Sequence, residues 1–273
     1  HKTQVDPVDE GADLPLVDGI NLELDLFLKV FESDDAREGV ASFFEHGPGK
    51  ARFSGSCVVA SGDMSDPFLT AFGDFARSEG QRDPALSGPM LLLADALTRV
   101  VPAQVGTLAS LPVVDEHLEA SRQAGVGVIA DLALQVADRT WWARPYADYA
   151  GEPDMDAMRS AYAYAPIIGQ AYNAILGRPG SAPYLSDEVQ AGLTLQGPGV
   201  VYPPHVHKAV EIYWVISGTA KWQRGDEWST HGPGATIFHE TGVRHATITG
   251  DEPQFLLFAW VTDPGGVPVI IRF

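Results

Sequence analysis

The stretch His205-Val206-His207-Lys208-Ala209-Val210-Glu211-Ile212-Tyr213 decides how this chain is interpreted. Two histidines, a carboxylate and a phenol stand at positions 205, 207, 211 and 213, which share one parity. In an extended chain, side chains of equal parity point to one face, so a strand here, even with a short loop after His207, can aim all of these groups at one point. Imidazole nitrogen and carboxylate oxygen suit a divalent transition metal such as Zn, Fe, Mn, Ni or Co.

A second segment supplies the candidate for a fourth ligand. His245 follows Thr241-Gly242-Val243-Arg244, which is typical of a turn that enters another strand. A single strand histidine is usually a surface or core residue, but the paired histidines, the glutamate and this further histidine together favour a metal site. A structural zinc would more often use cysteines, and the chain has only Cys57. We therefore predict one divalent ion, in a catalytic site with room for water or substrate, held by His205, His207, Glu211 and His245.

The two segments resemble the paired motifs of the cupin superfamily. The first, Gly-x5-His-x-His-x3-Glu followed by Gly, corresponds to Gly199 through Glu211 to Gly218, and the second, Pro-Gly-x10-His, to Pro233-Gly234 and His245. This resemblance covers the last third of the chain and implies a small β-barrel with a metal in its mouth, but no single reaction. His239 stands where many cupins have proline, which concerns the shape of the loop and not the ligand at His245.

A narrower resemblance bears on the reaction. The pattern Tyr202-Pro203-Pro204-His205-x-His207-x3-Glu211-x-Tyr213 is similar to the cupin-type bacterial dimethylsulfoniopropionate (DMSP) lyases, whose longer members have a helical region ahead of the barrel. It implies a β-elimination that gives dimethyl sulfide and acrylate, in which the metal binds the substrate carboxylate and Tyr213 is the general base. It also implies that Tyr202 lies in the substrate pocket.

Three hypotheses about function remain open at this point. The first is a metal-dependent DMSP lyase, which is a carbon–sulfur lyase and needs no redox cofactor. The second is another cupin metalloenzyme, such as an Fe(II) dioxygenase with the same ligands. The third is a non-catalytic cupin that binds a metal or a small ligand. For Tyr213 itself, the alternative to a base is an inward-facing phenol that hydrogen-bonds Glu211.

Aromatic side chains are candidates for contacts with a sulfonium substrate, because a sulfonium ion resembles a quaternary ammonium ion in binding aromatic faces. Besides Tyr202, we predict such contacts for Trp222 and Trp260, at inward positions of their strands. Most other aromatic residues are expected in the core, including the cluster Trp141, Trp142, Tyr146 and Tyr149. The histidines without partner spacing are interpreted as ordinary surface or structural residues: His46, His117, His231 and His239.

Composition excludes several classes of protein. An apolar fraction of 45% and an aromatic fraction of 10% are those of a globular protein. The net charge of −18 argues against nucleic acid or an anionic membrane as partner, and no apolar run reaches the roughly 20 residues that span a bilayer. The resemblance to the DMSP lyases implies a small-molecule carboxylate with a sulfonium group as partner. We expect a cytoplasmic protein, with a periplasmic one also open because a removed signal peptide would not be visible.

The expected architecture is α+β, with a mainly helical region over residues 1–184 packed on a cupin (double-stranded β-helix) barrel over 185–273. The boundary between the two parts follows the Gly- and Pro-rich segment 177–183. A homodimer contact through the helices is a separate expectation. Residues 126–136 fit either a buried helix or a strand. Spacing predicts helices over 21–33, 38–45, from Ser65-Asp66-Pro67 onward, 90–101, 112–124 and 155–176. Short β-rich runs predict strands over 189–196, 209–217, 218–224, 235–239, 246–249, 254–262 and 267–273.

Overall fold

The computed structural model describes residues 66–103, 105, 111–179 and 182–272. All of them lie in Ser65–Phe273, the second of the two units into which the chain divides. The helices predicted over 21–33 and 38–45 lie outside the described residues. Within the described part of the chain, no helix is long and apolar enough to cross a membrane.

Helices occupy most of the first half of the described chain. Helix α1 begins where it was predicted, because Pro67 occupies its first turn and the Asp66 carboxylate accepts hydrogen bonds from the N–H groups of Phe68 and Leu69. Residues 126–136, for which helix and strand were both open, lie within helix α4 apart from Val126. The α-helices of the described residues are α1 Pro67–Arg82, α2 Ser87–Ala96, α3 Pro112–Gln123, α4 Gly127–Ala137 and α5 Pro153–Ser160.

The strands form two main sheets. The larger sheet has the order β1-β5-β2-β6-β13-β8-β11, the smaller one has the order β10-β9-β12-β7-β14, and β3 pairs with β4 alone. The strands of the described residues are β1 Val101–Pro102, β2 Tyr162–Gly169, β3 Tyr172–Asn173, β4 Arg178–Pro179, β5 Tyr184–Leu185, β6 Gln190–Gln196, β7 Val201–Val206, β8 Glu211–Ser217, β9 Ala220–Arg224, β10 Glu227–His231, β11 Thr236–His239, β12 His245–Thr249, β13 Gln254–Trp260 and β14 Val269–Ile270.

Strand β8 shows how alternation separates the helical side of the sheet from the interior. Its even-numbered residues belong to the core shared with the helices, where the Trp214 ring lies 5.8 Å from Phe72 and 5.6 Å from Phe75 between centroids. Tyr213 and Val215, at odd-numbered positions, face the second sheet, and there the Tyr213 ring meets Trp222 of β9 at 5.0 Å between centroids. The α+β prediction, helices packed on a sheet-rich C-terminal part, is therefore confirmed.

The helix predicted over 155–176 is wrong. Helix α5 ends at Ser160, and Tyr162–Gly169 forms strand β2 between β5 and β6 of the larger sheet. All residues of β2 are buried, because the strand is covered on both faces. Pro166 would break a helix interior, whereas here it lies beside an irregularity in the β2–β6 register. The larger sheet thus begins upstream of residue 185, and the division into domains at 184 stays a prediction.

Candidate metal centre

The strands of both sheets bring the predicted ligands to one end of the barrel interior. His205 lies near the end of β7 and pairs directly with His245 at the start of β12, while Glu211 begins β8 in the other sheet. His207 follows the end of β7. The ring centroid of His245 lies 4.0 Å from that of His205 and 4.9 Å from that of His207. One nitrogen of each imidazole lies within 4.8 Å of the others, and all three side chains are buried.

The three imidazoles share one hydrogen-bond arrangement. In each, Nδ1 bonds to a backbone carbonyl oxygen two residues away, at 2.8 Å or 2.9 Å, so Nδ1 carries the proton and Nε2 presents its lone pair. A carbonyl that fixes the tautomer in this way is typical of metal-binding histidines. The pairs are His205 with Pro203, His207 with Ala209, and His245 with Val243.

The environment of Glu211 points to a cation. Its Oε2 lies 3.0 Å from Nε2 of His207 and 3.2 Å from Nε2 of His245, and the His245 nitrogen has no hydrogen-bond partner among the described residues. Lone pairs that converge in a buried place repel one another unless a proton or a metal lies between them. The donor set of imidazole nitrogen and carboxylate oxygen therefore fits a divalent transition metal.

The electrostatics of the ligands agree with this geometry. Burial lowers the pKa of His205 well below its ordinary value, so this imidazole is neutral at physiological pH. Burial alone would lower the pKa of His207, but the charge and hydrogen bond of Glu211 raise it. Burial alone would raise the pKa of Glu211, but His207 and His245 hold it well below its usual range. Glu211 is therefore a carboxylate, and the imidazole of His207 keeps a proton more readily than that of His205 when no metal competes for it.

A cavity of about 330 Å³, its open mouth included, leads to these ligands. Tyr202, Tyr213 and Trp260 of the predicted site line it, together with His205, His207 and Glu211. Trp222 does not appear among the described residues that line it, since its ring lies against Tyr213 and His239. A direct contact between Trp222 and substrate thus stays a prediction without support from the cavity lining.

Three tyrosines that the sequence interpretation did not assign to the site also line the cavity: Tyr146, Tyr162 and Tyr164. Tyr162 and Tyr164 come from β2, whose alternation Tyr-Ala-Tyr-Ala was the available signal. Tyr146 comes from a loop outside the barrel, in the left-handed backbone region with φ 59° and ψ 54°. That conformation is uncommon for a tyrosine and is often found at functional sites. Its phenol hydrogen-bonds the Tyr202 phenol, and its N–H bonds the Ile175 carbonyl at 2.8 Å.

His239 has a more central position than a surface histidine. It is fully buried, and its ring stacks on ligand His245 with centroids 4.2 Å apart and an interplanar angle of 15°. Neither of its nitrogens has a hydrogen-bond partner among the residues that the structure describes. His239 therefore packs face to face against the predicted ligand His245.

Tyr213 is buried within the site. Burial and the charge of Glu211 raise its pKa well above 10. The phenol is therefore neutral at physiological pH in the absence of a nearby cation. Burial also raises the pKa of Tyr202, Tyr146 and Tyr162, so these phenols of the cavity wall are neutral.

Comparisons with known proteins agree with these features. Residues 92–257 match the family model of dimethylsulfoniopropionate lyase. The dimethylsulfoniopropionate lyase DddQ of Ruegeria pomeroyi is 31% identical over 193 residues, which cover 69% of this chain and 87% of that protein. The putative dimethylsulfoniopropionate lyase DddL of Cereibacter sphaeroides is 28% identical over 144 residues, which cover 52% of this chain and 55% of that protein.

Solved structures show the same fold. The crystal structure of the DMSP lyase DddQ from Ruegeria pomeroyi matches with a TM-score of 0.55 at 27% identity, over 75% of this chain and 96% of that one. A chain from the crystal structures of the DMSP lyases RdDddP and RnDddQII matches with a TM-score of 0.52 at 21% identity, over 76% of this chain and all of that one, and supports the fold alone. Since the family model spans more than half of the sequence and a relative of 31% identity covers 69% of it, the chain belongs to the dimethylsulfoniopropionate lyase family.

Proposed function

We propose that this chain is a metal-dependent lyase that cleaves DMSP to dimethyl sulfide and acrylate. The observation that carries the proposal is the buried cluster of His205, His207, His245 and Glu211 at the end of a cavity that Tyr213 also lines. The four ligands would hold one divalent ion. When bound, such an ion would attract the substrate carboxylate and make the adjacent C–H more acidic.

The tyrosine-lined wall suits the other end of the substrate. DMSP carries a sulfonium cation, and cations are attracted to the faces of aromatic rings. The rings of Tyr202 and Tyr162 lie 5.3 Å apart, and those of Tyr202 and Tyr146 lie 6.0 Å apart. Since these phenols are neutral, the wall offers aromatic faces without a competing charge. We infer that the sulfonium group lies against them, with the carboxylate toward the histidines.

Tyr213 is the proposed general base. Its phenolate oxygen takes the proton from the carbon next to the carboxylate, and the C–H electrons form the carbon–carbon double bond of acrylate. The bond between the other carbon and sulfur breaks, its electrons stay on sulfur, and neutral dimethyl sulfide leaves. Tyr213 then passes the proton to solvent. The positive charges of the substrate and of a bound metal would favour the phenolate, against the burial and the Glu211 charge that disfavour it.

The test is a headspace measurement of dimethyl sulfide after DMSP is added to the metal-loaded protein. We expect dimethyl sulfide and acrylate in equal amounts, with no consumption of oxygen. Oxygen consumption without dimethyl sulfide would favour the Fe(II) dioxygenase alternative. If the protein binds metal but shows no turnover with any of Zn, Fe, Mn, Ni and Co, the remaining hypothesis is the non-catalytic binding module.

A further inference from the structure

Glu211 lies in the middle of a row of side chains that crosses the larger sheet. On one side its directly paired neighbour is Trp260 of β13, and on the other side it is His239 of β11. Directly paired residues of antiparallel strands have Cβ atoms about 4.5–5.5 Å apart and point to the same face. The register of three strands therefore places an indole and an imidazole beside the only carboxylate of the predicted ligand set.

Trp260 makes two contacts with the predicted ligands. Its Nε1–H donates a hydrogen bond of 2.6 Å to Oε1 of Glu211, and its ring lies 4.7 Å from the His207 ring between centroids. Both partners of the hydrogen bond are 2% exposed. A hydrogen bond to a buried carboxylate is stronger than one between neutral groups, so it fixes the orientation of the acceptor.

The two oxygens of Glu211 are thereby distinguished. Oε1 is held by Trp260, whereas Oε2 is directed at the Nε2 atoms of His207 and His245. The indole N–H groups of Trp214 and Trp222 are also buried but have no hydrogen-bond partner among the described residues. The bond from Trp260 is thus a specific feature of this position and not a general property of the buried tryptophans.

We propose that Trp260 is a positioning residue of the metal centre, which holds Glu211 so that only Oε2 is offered to the ion. This inference rests on the proposed metal site. A carboxylate without this hydrogen bond can rotate Oε2 away from the two histidines, which would weaken metal binding. The role differs from the sequence-based prediction for Trp260, which was a contact between its aromatic face and the substrate.

The experiment compares Trp260→Phe with the matched control Trp222→Phe. Each substitution removes one buried indole N–H from the barrel interior, but only the first breaks a hydrogen bond. Affinity for Co²⁺ and Zn²⁺ is measured without substrate, by competition with a chromophoric chelator. Because loss of a partner that orients a metal ligand typically weakens binding about 10–100-fold, we expect a loss of that size in Trp260→Phe and less than about twofold in Trp222→Phe. The visible spectrum of bound Co²⁺ should also change in Trp260→Phe only.

Kinetics with saturating metal separate the two roles of Trp260. A positioning role predicts that excess metal restores turnover and that KM for DMSP stays close to its wild-type value. An increase in KM with unchanged metal affinity would overturn the proposal in favour of a substrate contact. Trp260→His keeps a ring N–H, so its metal affinity should lie between those of wild type and Trp260→Phe. If Trp260→Phe does not fold, a loss of more than about 100-fold in Trp260→His would overturn the proposal.

The same measurements test the metal centre and the role of Trp260 separately. Wild-type protein that binds neither Co²⁺ nor Zn²⁺ would remove the metal centre itself. If wild type and Trp260→Phe bind metal equally well, only the proposed role of Trp260 is contradicted.

Discussion

Tyr213 stands two residues after Glu211 on strand β8, so the phenol and the carboxylate point to the same side of the sheet. Burial and the charge of Glu211 raise the pKa of the phenol well above 10. A bound dication and a sulfonium substrate have the opposite effect, since positive charge favours the phenolate. On the proposed mechanism, Tyr213 therefore becomes a base only when the site is loaded.

The substitution Tyr213→Phe tests this role, because it removes the hydroxyl and leaves the ring. If Tyr213 is the base, kcat should fall about 10²–10⁴-fold while metal content stays at the wild-type level. If the hydroxyl only orients Glu211, metal affinity should fall about 10–100-fold and added metal should restore activity. Stopped assays of acrylate, together with elemental analysis of the same samples, distinguish the two outcomes. Tyr202→Phe is the control, and it should raise KM more than it lowers kcat.

The pH profile provides a second test of the same residue. A base must be deprotonated to accept a proton, so kcat/KM should rise with pH up to the pKa of Tyr213 in the metal-bound protein without substrate. Because burial raises the pKa of this phenol, we expect the rise in kcat/KM on the alkaline side of neutrality, unless bound cations lower that pKa. The residual activity of Tyr213→Phe should not show this rise in kcat/KM with pH. A wild-type profile that shows no such rise at any pH, acidic or alkaline, would contradict the assignment of Tyr213 as the base.

At the scale of single residues, the spacing of histidines and glutamate in the sequence was enough to indicate a metal site. His205, His207, Glu211 and His245 do converge, because His205 pairs directly with His245 and Glu211 approaches from the other sheet. The location of Tyr146 at the cavity could not be predicted from sequence spacing, since it depends on a loop outside the barrel and on a left-handed backbone conformation. The same limit applies to His239, whose burial follows from the pairing of β11 with β8.

At the scale of elements, prediction succeeded where local signals are strong. The N-terminal end of α1 and the extent of α3 follow from capping and proline positions, and β6, β8 and β13 from β-rich runs. Strand β2 was mistaken for part of a helix, because a strand covered on both faces lacks the alternation of polar and apolar residues. Pairings of two residues, such as β1 with β5, depend on a partner distant in sequence and leave almost no local pattern.

A packing test at this scale concerns Gly192 on strand β6. A Cβ atom there would lie 2.5 Å from Cε2 of Tyr164, 2.8 Å from the carbonyl oxygen of Ala165 and 2.9 Å from Phe258. Because the carbonyl oxygen belongs to a neighbouring strand, it cannot easily move away. We expect Gly192→Ala to lower the free energy of unfolding by about 1–3 kcal/mol and to raise KM through displaced cavity residues.

The matched control for this test is Gly88→Ala in helix α2. A Cβ atom at Gly88 would meet nothing within 4 Å. Alanine is favoured over glycine in helices, so this variant should be neutral or more stable by up to about 1 kcal/mol. Urea titrations of both variants provide the comparison. Equal stability of Gly192→Ala and wild type would show that the tight contact around Gly192 relaxes freely.

At the scale of the whole molecule, the proposed metal would connect the two sheets. Glu211 belongs to the larger sheet, whereas His205 and His245 belong to the smaller one. An ion that binds only the folded state stabilises it by about 2.7 kcal/mol at 100 times its Kd. Chelation should therefore lower Tm by about 5–10 °C for a unit of this size and abolish dimethyl sulfide release, and added metal should reverse both effects. An unchanged Tm in calorimetry, despite verified loss of metal, would contradict the connection between the sheets.

The carbonyl bonds to the three Nδ1 atoms have a consequence for how an ion enters. Each imidazole already has its tautomer and its rotamer fixed by the chain, so capture of a metal requires no ring flip and no proton shift between the two nitrogens of a ring. Metal binding can release a proton only from a ring whose Nε2 atom is protonated. The raised pKa of His207 favours such a proton on the Nε2 atom of that residue. The entropy of aligning the ligands is lost during folding, before any ion arrives, and is therefore not subtracted from the affinity for the metal.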